Sequence, residues 1–279
     1  MAPLLYAASV TPLREGGEAL DEAAIEPLVA YLTADGGADG IFCCGTTGEG
    51  ILLKSEERRR AAERFRAACT GPLIVHCGAQ TTAETAALAA HAAEIGADGA
   101  AVIPPPYFPL DDDLLVEHFA AAAAACAPLP FYLYAFAARS GYPLPPAVIQ
   151  RVAEQAPNVA GIKASEGTMD ALRPYLGLGL PVYVGSEPLL AEGLLQGAAG
   201  AVSGLASAFP RDVGAAVRDP SPATVSRMQE LRDTIPPTGF IAALKLILGR
   251  AGLPVGPDVR APLRQLSAAD AERLAPLFS

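Results

Sequence analysis

Short apolar runs alternate along the chain with longer, alanine-rich segments of helical periodicity. Eight of these runs are candidates for strands, at residues 4–10, 40–44, 73–77, 99–103, 131–135, 159–164, 182–185 and 200–204. Within the runs, apolar residues follow one another without polar alternation, which is typical of strands covered on both faces. The pattern therefore predicts a buried, parallel sheet.

Helical segments separate the strand candidates, near residues 22–34, 55–69, 82–95, 111–126, 145–155, 168–175 and 187–196. Several begin with Ser, Thr or Asp, the residue types that cap helix N-termini. Parallel strands joined by helices form right-handed crossovers, and eight such units predict a closed (β/α)8 TIM barrel. An open, doubly wound sheet is the alternative, but no G-x-G-x-x-G sequence follows the first strand candidate, so the barrel is favoured.

The alternation stops after residue 205. Only helical patterns follow, near residues 207–217, 221–234, 239–251 and 267–277. We therefore predict a barrel over residues 1–218 and a small C-terminal helical layer over residues 219–279, packed together as a single structural unit.

Composition narrows the classes of function. The net charge of −10 disfavours nucleic acid and anionic membranes as partners. No stretch is apolar enough for a membrane span, and the N-terminus lacks the features of a signal peptide. Five cysteines without paired spacing fit a reducing compartment, so we expect a cytoplasmic protein. The three histidines, His76, His91 and His118, have no metal-ligand spacing, and we expect neither a metal nor a cofactor.

Lys163 ends the sixth strand candidate, within the sequence VAGIKAS. The chain has only three lysines beside seventeen arginines, so a lysine inside an apolar run points to a need for an amine. A desolvated lysine has a depressed pKa and forms a Schiff base with a 2-oxo acid. A side chain that merely extends to the barrel surface is the structural alternative.

Polar residues also follow other strand candidates, where catalytic groups of a barrel are expected. Thr46 and Thr47 lie in a GTTG turn, which either binds a carboxylate or only caps the next helix. Tyr134, on the strand before that of Lys163, is a candidate proton carrier or a core aromatic. Arg139 is able to hold a second anionic group or to form a surface ion pair. Tyr107 lies in a loop that prolines hold extended and rigid. Such a loop presents a side chain at the mouth of the barrel or at a subunit interface, or the side chain only packs against its neighbours.

Several ordered motifs together resemble the dihydrodipicolinate synthase and N-acetylneuraminate lyase family of pyruvate-dependent class I aldolases. They are ASVTPL, GADGIFCCGTTGEGILLKSEER, GADGAAVIPPPYF, LYAFAARSG, GIKASEG, GSEPLLAEGLLQGAAGAVSG and ALKLILGRAGLPVGPDVRAPLRQLS, and they span nearly the whole chain. The resemblance implies a TIM barrel, a small-molecule substrate consisting of pyruvate and an aldehyde, and a homodimer or homotetramer.

The resemblance also implies roles for individual residues. Lys163 would form the imine with pyruvate, and Tyr134 would relay protons to and from that intermediate. Thr46 and Thr47 would hold the pyruvate carboxylate, and one of them would link Tyr134 to Tyr107 of a neighbouring subunit.

The pocket floor and the site of the second substrate are also implied by the resemblance. Gly185 and Val202 fall where the family lines the pocket floor, and Arg139 where synthases bind the carboxylate of aspartate semialdehyde. Synthases usually have Asn and Pro where this chain has Ala135 and Ala137.

Three interpretations remain open from the sequence. The first is a dihydrodipicolinate synthase-like lyase that joins pyruvate to an aldehyde such as aspartate semialdehyde. The second is an aldolase that cleaves a 2-oxo-3-deoxy sugar acid or a 4-hydroxy-2-oxo acid, favoured by the small side chains of Ala135 and Ala137. The third is a barrel that binds a 2-oxo acid without catalysis.

Overall fold

The apolar runs form the eight strands of a closed parallel barrel in the computed structural model, which describes residues 2–278. The strands are β1 (Leu4–Ala8), β2 (Gly40–Cys43), β3 (Leu73–His76), β4 (Gly99–Val102), β5 (Phe131–Ala135), β6 (Val159–Ala164), β7 (Val182–Val184) and β8 (Gly200–Ser203). Each strand pairs in parallel with its neighbours in chain order, and β1 also pairs with β8. The predicted TIM barrel is confirmed, and its closure excludes the open doubly wound sheet.

Helices connect the strands around the outside of the barrel. They are α1 (Ile25–Ala30), α2 (Ser55–Ala68), α3 (Thr82–Glu94), α4 (Asp112–Cys126), α5 (Ala137–Ser140), α6 (Pro146–Gln155), α7 (Met169–Leu176), α8 (Leu190–Leu195) and α9 (Pro210–Arg218). Thr81, Asp111 and Thr168 cap α3, α4 and α7, because each side chain accepts a hydrogen bond from a backbone N–H of the first turn. A two-residue antiparallel pair, Leu13–Arg14 with Ala19–Leu20, precedes α1.

The strands are apolar on both faces because each face meets a different part of the core. In β1, Leu5 and Ala7 pack outward into the cluster shared with the helices, whereas Tyr6 and Ala8 belong to a separate cluster inside the barrel. This arrangement follows from the period-2 geometry of a strand. It explains why no polar alternation is visible in the sequence.

Tyrosine rings fill the lower part of the barrel interior. The ring of Tyr183 meets the rings of Tyr6 and Tyr132 edge to face, with centroids 5.5 and 6.2 Å apart. Glycine makes room for these rings, since a Cβ on Gly99 or Gly161 would lie 2.7 or 3.2 Å from the Tyr132 ring. These rings fill the interior at this end, and the pocket that Lys163 lines lies toward the carboxyl ends of the strands.

Three further helices form the C-terminal layer, namely α10 (Pro222–Thr234), α11 (Phe240–Arg250) and α12 (Ala268–Leu274). The predicted helical extension is confirmed, while the division between residues 218 and 219 stays a prediction. The layer packs over the mouth of the barrel, where its residues form part of the pocket wall. Within residues 2–278, no helix combines the length and the apolar character required to cross a bilayer.

Candidate active site

Lys163 projects from β6 into the barrel interior just below the pocket. Its Cα is in register with Tyr134 on β5 and with Tyr183 on β7, and only 5% of the residue is exposed. Burial lowers the pKa of the Lys163 amine below its ordinary value, while Tyr134 and Glu187 act in the opposite direction. The amine is thus easier to deprotonate than a surface lysine, as a nucleophile for carbonyls requires.

Tyr134 stands beside this lysine at the same height in the barrel. The Lys163 Nζ lies 4.1 Å from the centre of the Tyr134 ring, and the Tyr134 hydroxyl lies 3.4 Å from the Thr46 Oγ1. Tyr132, two residues earlier on β5, packs in the lower layer against Tyr183. Of the two tyrosines on this strand, Tyr134 is therefore the one next to the amine.

The GTTG turn follows β2 and brings Thr46 and Thr47 to the pocket wall. The turn is tightly wound, because Gly50 donates its backbone N–H to the Gly45 carbonyl and a Cβ on Gly50 would lie 1.8 Å from the Cys44 carbonyl oxygen. Glycine is thus required at position 50 for this close approach. The turn presents the two threonine hydroxyls toward the pocket that Lys163 also lines.

A buried ion pair anchors the end of this turn to the C-terminal layer. Glu49 is 2% exposed and accepts from the Lys245 Nζ at 2.5 Å and from the Arg260 backbone N–H at 2.7 Å. Lys245 also donates to the Asp258 carbonyl at 2.6 Å. Sequence reasoning missed this pair. The available signal was that Lys245, one of only three lysines, lies in an apolar helix.

Gly185 and Val202 line the pocket, at the ends of β7 and β8. A Cβ on Gly185 would lie 2.0 Å from the Ser165 Oγ and 3.4 Å from the Lys163 Cε. The missing side chain therefore keeps the space beside the lysine open.

Arg139 lies in α5, on the loop that follows Tyr134, and lines the outer part of the pocket. Its guanidinium carbon is 5.6 Å from the centre of the Phe136 ring. Ala135 is fully buried in the outer core, and Ala137 is the first residue of α5; neither lines the pocket. The small side chains at these two positions consequently contribute no space for a substrate.

The pocket is also lined by charged residues that sequence reasoning did not single out. Arg232, at the end of α10, stacks on Phe240 with 4.6 Å between its guanidinium carbon and the ring centre. Glu187 accepts from the Ser203 hydroxyl and the Leu205 backbone N–H through its Oε1, and its Oε2 lies 3.9 Å from the Arg232 Nε. Arg264 also lines the pocket and is paired with Asp270.

Tyr107 does not reach the pocket of its own chain. It is 81% exposed, and its ring packs edge to face on that of Phe108, with centroids 4.8 Å apart. Its backbone has φ 89°, a left-handed conformation that a residue with a side chain rarely adopts. A role for Tyr107 in the site of a neighbouring subunit stays a prediction.

The histidines occupy three different environments. His76 lies inside the barrel, where its Nδ1 is 3.2 Å from the Cys44 carbonyl oxygen and its ring contacts those of Phe42 and Tyr134. Burial lowers the pKa of His76 well below its ordinary value, so this ring is neutral. His91 pairs with Glu63 on the outer surface, and the His118 Nδ1 is 2.9 Å from a threonine hydroxyl between α3 and α4.

The pocket that these residues enclose is small, with a volume of about 230 Å³. Pockets for drug-sized ligands usually start at about 300 Å³. A 2-oxo acid with a short partner is therefore the appropriate size of ligand. The buried amine, the phenol beside it and the paired hydroxyls are together suited to imine chemistry on such an acid.

Comparisons with known proteins agree with this chemistry. The model of the dihydrodipicolinate synthetase family matches residues 4–278. A 4-hydroxy-tetrahydrodipicolinate synthase of Prochlorococcus marinus (strain MIT 9313) is 39% identical over 205 residues, which cover 71% of this chain and 67% of that protein.

Two solved structures show the same architecture over nearly the full length. The N-acetylneuraminate lyase of Proteus mirabilis superposes with a TM-score of 0.88 at 29% identity, covering 99% of this chain and 97% of that one. The dihydrodipicolinate synthase of Bacteroides thetaiotaomicron has a TM-score of 0.87 at 28% identity, covering 98% and 96%. The match of the family model from end to end and these relatives show that the chain belongs to the dihydrodipicolinate synthetase family of pyruvate-dependent lyases.

Proposed function

We propose that the chain is a dihydrodipicolinate synthase-like lyase, in which Lys163 forms an imine with pyruvate and the derived enamine adds to an anionic aldehyde such as aspartate semialdehyde. The observation that carries the proposal is the buried Lys163 amine beside Tyr134, at the floor of a pocket lined by Thr46 and Thr47. No other lysine among the described residues lines this pocket.

The chemistry follows from these positions. The free Lys163 amine attacks C2 of pyruvate. The ketone oxygen takes one proton from the nitrogen and a second one relayed by the Tyr134 hydroxyl, and it leaves as water, which gives an iminium with one remaining N–H. Loss of a C3 proton through the Tyr134 hydroxyl turns the C–H electrons into a C2=C3 double bond, while the π electrons of the C=N bond move onto nitrogen, which produces a neutral enamine. The enamine carbon then bonds to the aldehyde carbon, whose oxygen takes up a proton, and the nitrogen lone pair forms the iminium again. Water hydrolyses this iminium, which releases the product as a ketone and returns the free Lys163 amine. Thr46 and Thr47 hold the carboxylate of pyruvate throughout.

The charges around the pocket favour an anionic aldehyde. Apart from Lys163, three arginines line the pocket, and Glu187 is the single acidic residue that lines it within the described chain. Arg264 is already paired with Asp270, whereas Arg232 is beyond hydrogen-bond reach of Glu187 and Arg139 has no ion pair within residues 2–278. Arg139, and Arg232 with its long ion pair of 3.9 Å to Glu187, thus keep hydrogen-bond donors for a carboxylate or phosphate, which guanidinium groups prefer as bidentate partners.

A second candidate function is an aldolase that cleaves a 2-oxo-3-deoxy sugar acid to pyruvate and a neutral aldehyde. It is favoured by Ser165 and Glu187, which both line the pocket. The Oε2 of Glu187 has no hydrogen-bond donor within 3.5 Å among the described residues, so it is free to accept from a substrate hydroxyl. A barrel that binds pyruvate without turnover is the third possibility.

Borohydride trapping tests the first step. Purified protein is incubated with pyruvate and borohydride, and the reduced adduct is located by peptide mass spectrometry. We expect an adduct on Lys163, none in Lys163→Ala, and an unchanged adduct in the matched control Lys54→Ala, because Lys54 is exposed. A fully active Lys163→Ala variant would refute the proposed chemistry.

Tyr134→Phe should still form the adduct but turn over about 100-fold more slowly, as expected for loss of a positioned proton carrier.

A comparison of two aldehydes tests which kind of second substrate the enzyme accepts. Turnover is measured with aspartate semialdehyde and with a neutral sugar-derived aldehyde. We expect Arg232→Gln to raise KM for the anionic aldehyde by about tenfold or more, the value of a lost charge-assisted hydrogen bond. Arg227→Gln, on the same helix but outside the pocket, is the control. Preference for the neutral aldehyde would favour the second candidate, and an adduct without turnover of either aldehyde would favour the third.

A further inference from the structure

Two aromatic rings enclose the reactive nitrogen of Lys163. The Nζ lies over the Phe42 ring, 4.0 Å from its centre, and over the Tyr134 ring, 4.1 Å from its centre. The two rings meet at 80° with centroids 6.1 Å apart, so that they form two walls of a corner. Both residues are 1% exposed, so the two rings are largely removed from bulk solvent. We call this pair of rings the aromatic corner.

Backbone packing fixes the Phe42 ring in this position. A Cβ on Gly45 would lie 2.6 Å from the Phe42 Cε1, so the absence of a side chain there lets the GTTG turn pack directly on the ring. His76 contacts the same ring from β3, with 6.2 Å between centroids. The ring therefore has little freedom to turn away from the amine.

Few other groups are placed to balance a positive charge on this nitrogen. Among residues 2–278, no carboxylate forms an ion pair with Lys163, and burial lowers the pKa of His76 well below its ordinary value, so His76 is neutral. Glu187 contributes a favourable charge from the loop after β7, while Arg139 and Arg232 line the outer pocket with the opposite sign. The two faces of the aromatic corner lie 4.0 and 4.1 Å from the nitrogen, and Tyr134 also interacts with it through a side-chain hydrogen bond. Aromatic faces attract cations through their quadrupole.

This environment matters most after pyruvate has reacted. The iminium nitrogen carries a positive charge but retains a single N–H, so it is able to donate fewer hydrogen bonds than the ammonium of free lysine. Interaction with ring faces does not depend on N–H groups, so it also acts on the iminium. Relative to the neutral Lys163 amine that reacts with pyruvate, the ring faces therefore favour the charged iminium. Formation of the enamine removes the charge again, since the electrons of the broken C3–H bond form the C2=C3 bond and the former C=N π pair returns to the nitrogen.

We propose that Phe42 is a catalytic residue, whose ring face, together with that of Tyr134, stabilises the iminium formed between Lys163 and pyruvate. The inference rests on the proposed imine chemistry and assigns to Phe42 a role beyond filling the barrel interior. Because a desolvated cation–π contact is among the stronger ones, loss of the Phe42 face should weaken iminium formation by about tenfold to thirtyfold.

Fluorination of the Phe42 ring tests this role without a change of shape. Phenylalanine analogues with one, two, three and five ring fluorines are incorporated at position 42 by nonsense suppression. The fraction of Lys163 trapped by borohydride is then measured against pyruvate concentration for each protein. We expect the logarithm of the iminium formation constant to fall steadily as fluorines are added, because each withdraws electron density from the ring face.

Substitutions supply an independent measurement. Phe42→Leu should lose about tenfold or more in the formation constant, whereas Phe42→Tyr, which keeps a ring face, should remain close to the parent protein. Ile74→Leu is the matched control, since Ile74 packs in the same interior cluster on the next strand. If Phe42→Leu does not fold, the fluorinated proteins still test whether the Phe42 ring face stabilises the iminium.

The outcomes separate the two proposals. A formation constant that does not change with fluorination, in protein that forms the adduct, would overturn the role of Phe42 and leave the imine chemistry intact. Folded parent protein that forms no adduct with pyruvate would overturn both.

Discussion

Loss of the buried Lys245 ammonium should lower the free energy of unfolding, and the contacts of this group allow the size of the change to be worked out. Lys245 is fully buried, and its Nζ donates to the Glu49 carboxylate at 2.5 Å and to the Asp258 carbonyl at 2.6 Å. The Lys245→Met variant keeps the apolar stem but deletes both charge-assisted hydrogen bonds. It leaves the buried Glu49 carboxylate with the Arg260 backbone N–H as a donor.

The expected loss in free energy of unfolding follows from these contacts. Each hydrogen bond to a charged group contributes about 1.5–3 kcal/mol, and breaking a buried ion pair by removing one partner costs about 3–5 kcal/mol. We therefore expect Lys245→Met to lower the free energy of unfolding by about 3–5 kcal/mol. The double variant Glu49→Met/Lys245→Met should cost about as much as one single variant, because the two side chains act as a unit.

Urea unfolding followed by circular dichroism measures this effect. The matched control is Arg227→Met, which breaks an exposed pair with Asp212 and should change the free energy of unfolding by less than about 1 kcal/mol. Since Glu49 closes the GTTG turn, Lys245→Met should also weaken pyruvate trapping at Lys163. A Lys245→Met protein as stable as the control, or single-variant costs that simply add in the double variant, would refute the reasoning.

Three further predictions concern the site and its surroundings. Gly185→Ala should reduce trapping of pyruvate in the borohydride assay, because the new Cβ would meet Ser165 and Lys163. Gly167→Ala is the control, since the space around Gly167 is open and this variant should trap pyruvate normally. Equal trapping by the two variants would contradict this geometry. Burial lowers the pKa of His118 to about 4, so the unfolded chain binds a proton first as the pH falls below 6.5. Stability should consequently decrease by up to about 3 kcal/mol between pH 6.5 and 4, and His118→Gln should flatten that part of the profile of urea midpoint against pH. If Tyr107 serves a neighbouring subunit, mixing inactive Lys163→Ala with weakly active Tyr107→Phe subunits should restore turnover; no restoration in confirmed mixed oligomers would argue that Tyr107 does not act across an interface.

Local patterns in the sequence were sufficient for the architecture and for part of the site. Eight apolar runs alternating with helical segments define parallel strands, and the number of units closes them into a barrel. In that fold the carboxyl ends of the strands share one face. Lys163 and Tyr134 could therefore be placed side by side on neighbouring strands, with Thr46 and Thr47 at the same end. These inferences require only the period of a strand and the order of the elements.

Contacts between distant segments were decided by the tertiary structure. Glu49 and Lys245 are 196 positions apart, and no pattern in either segment indicates that they pair. Arg232 approaches the pocket only because the C-terminal layer folds back over the barrel mouth. Strand alternation places Phe42 inside the barrel but does not reveal that its face covers the Lys163 nitrogen. The sequence thus determined the strands and the chemistry at their ends. Long-range packing, which sets burial and the choice of partners, decided the charge and the aromatic surroundings of the site.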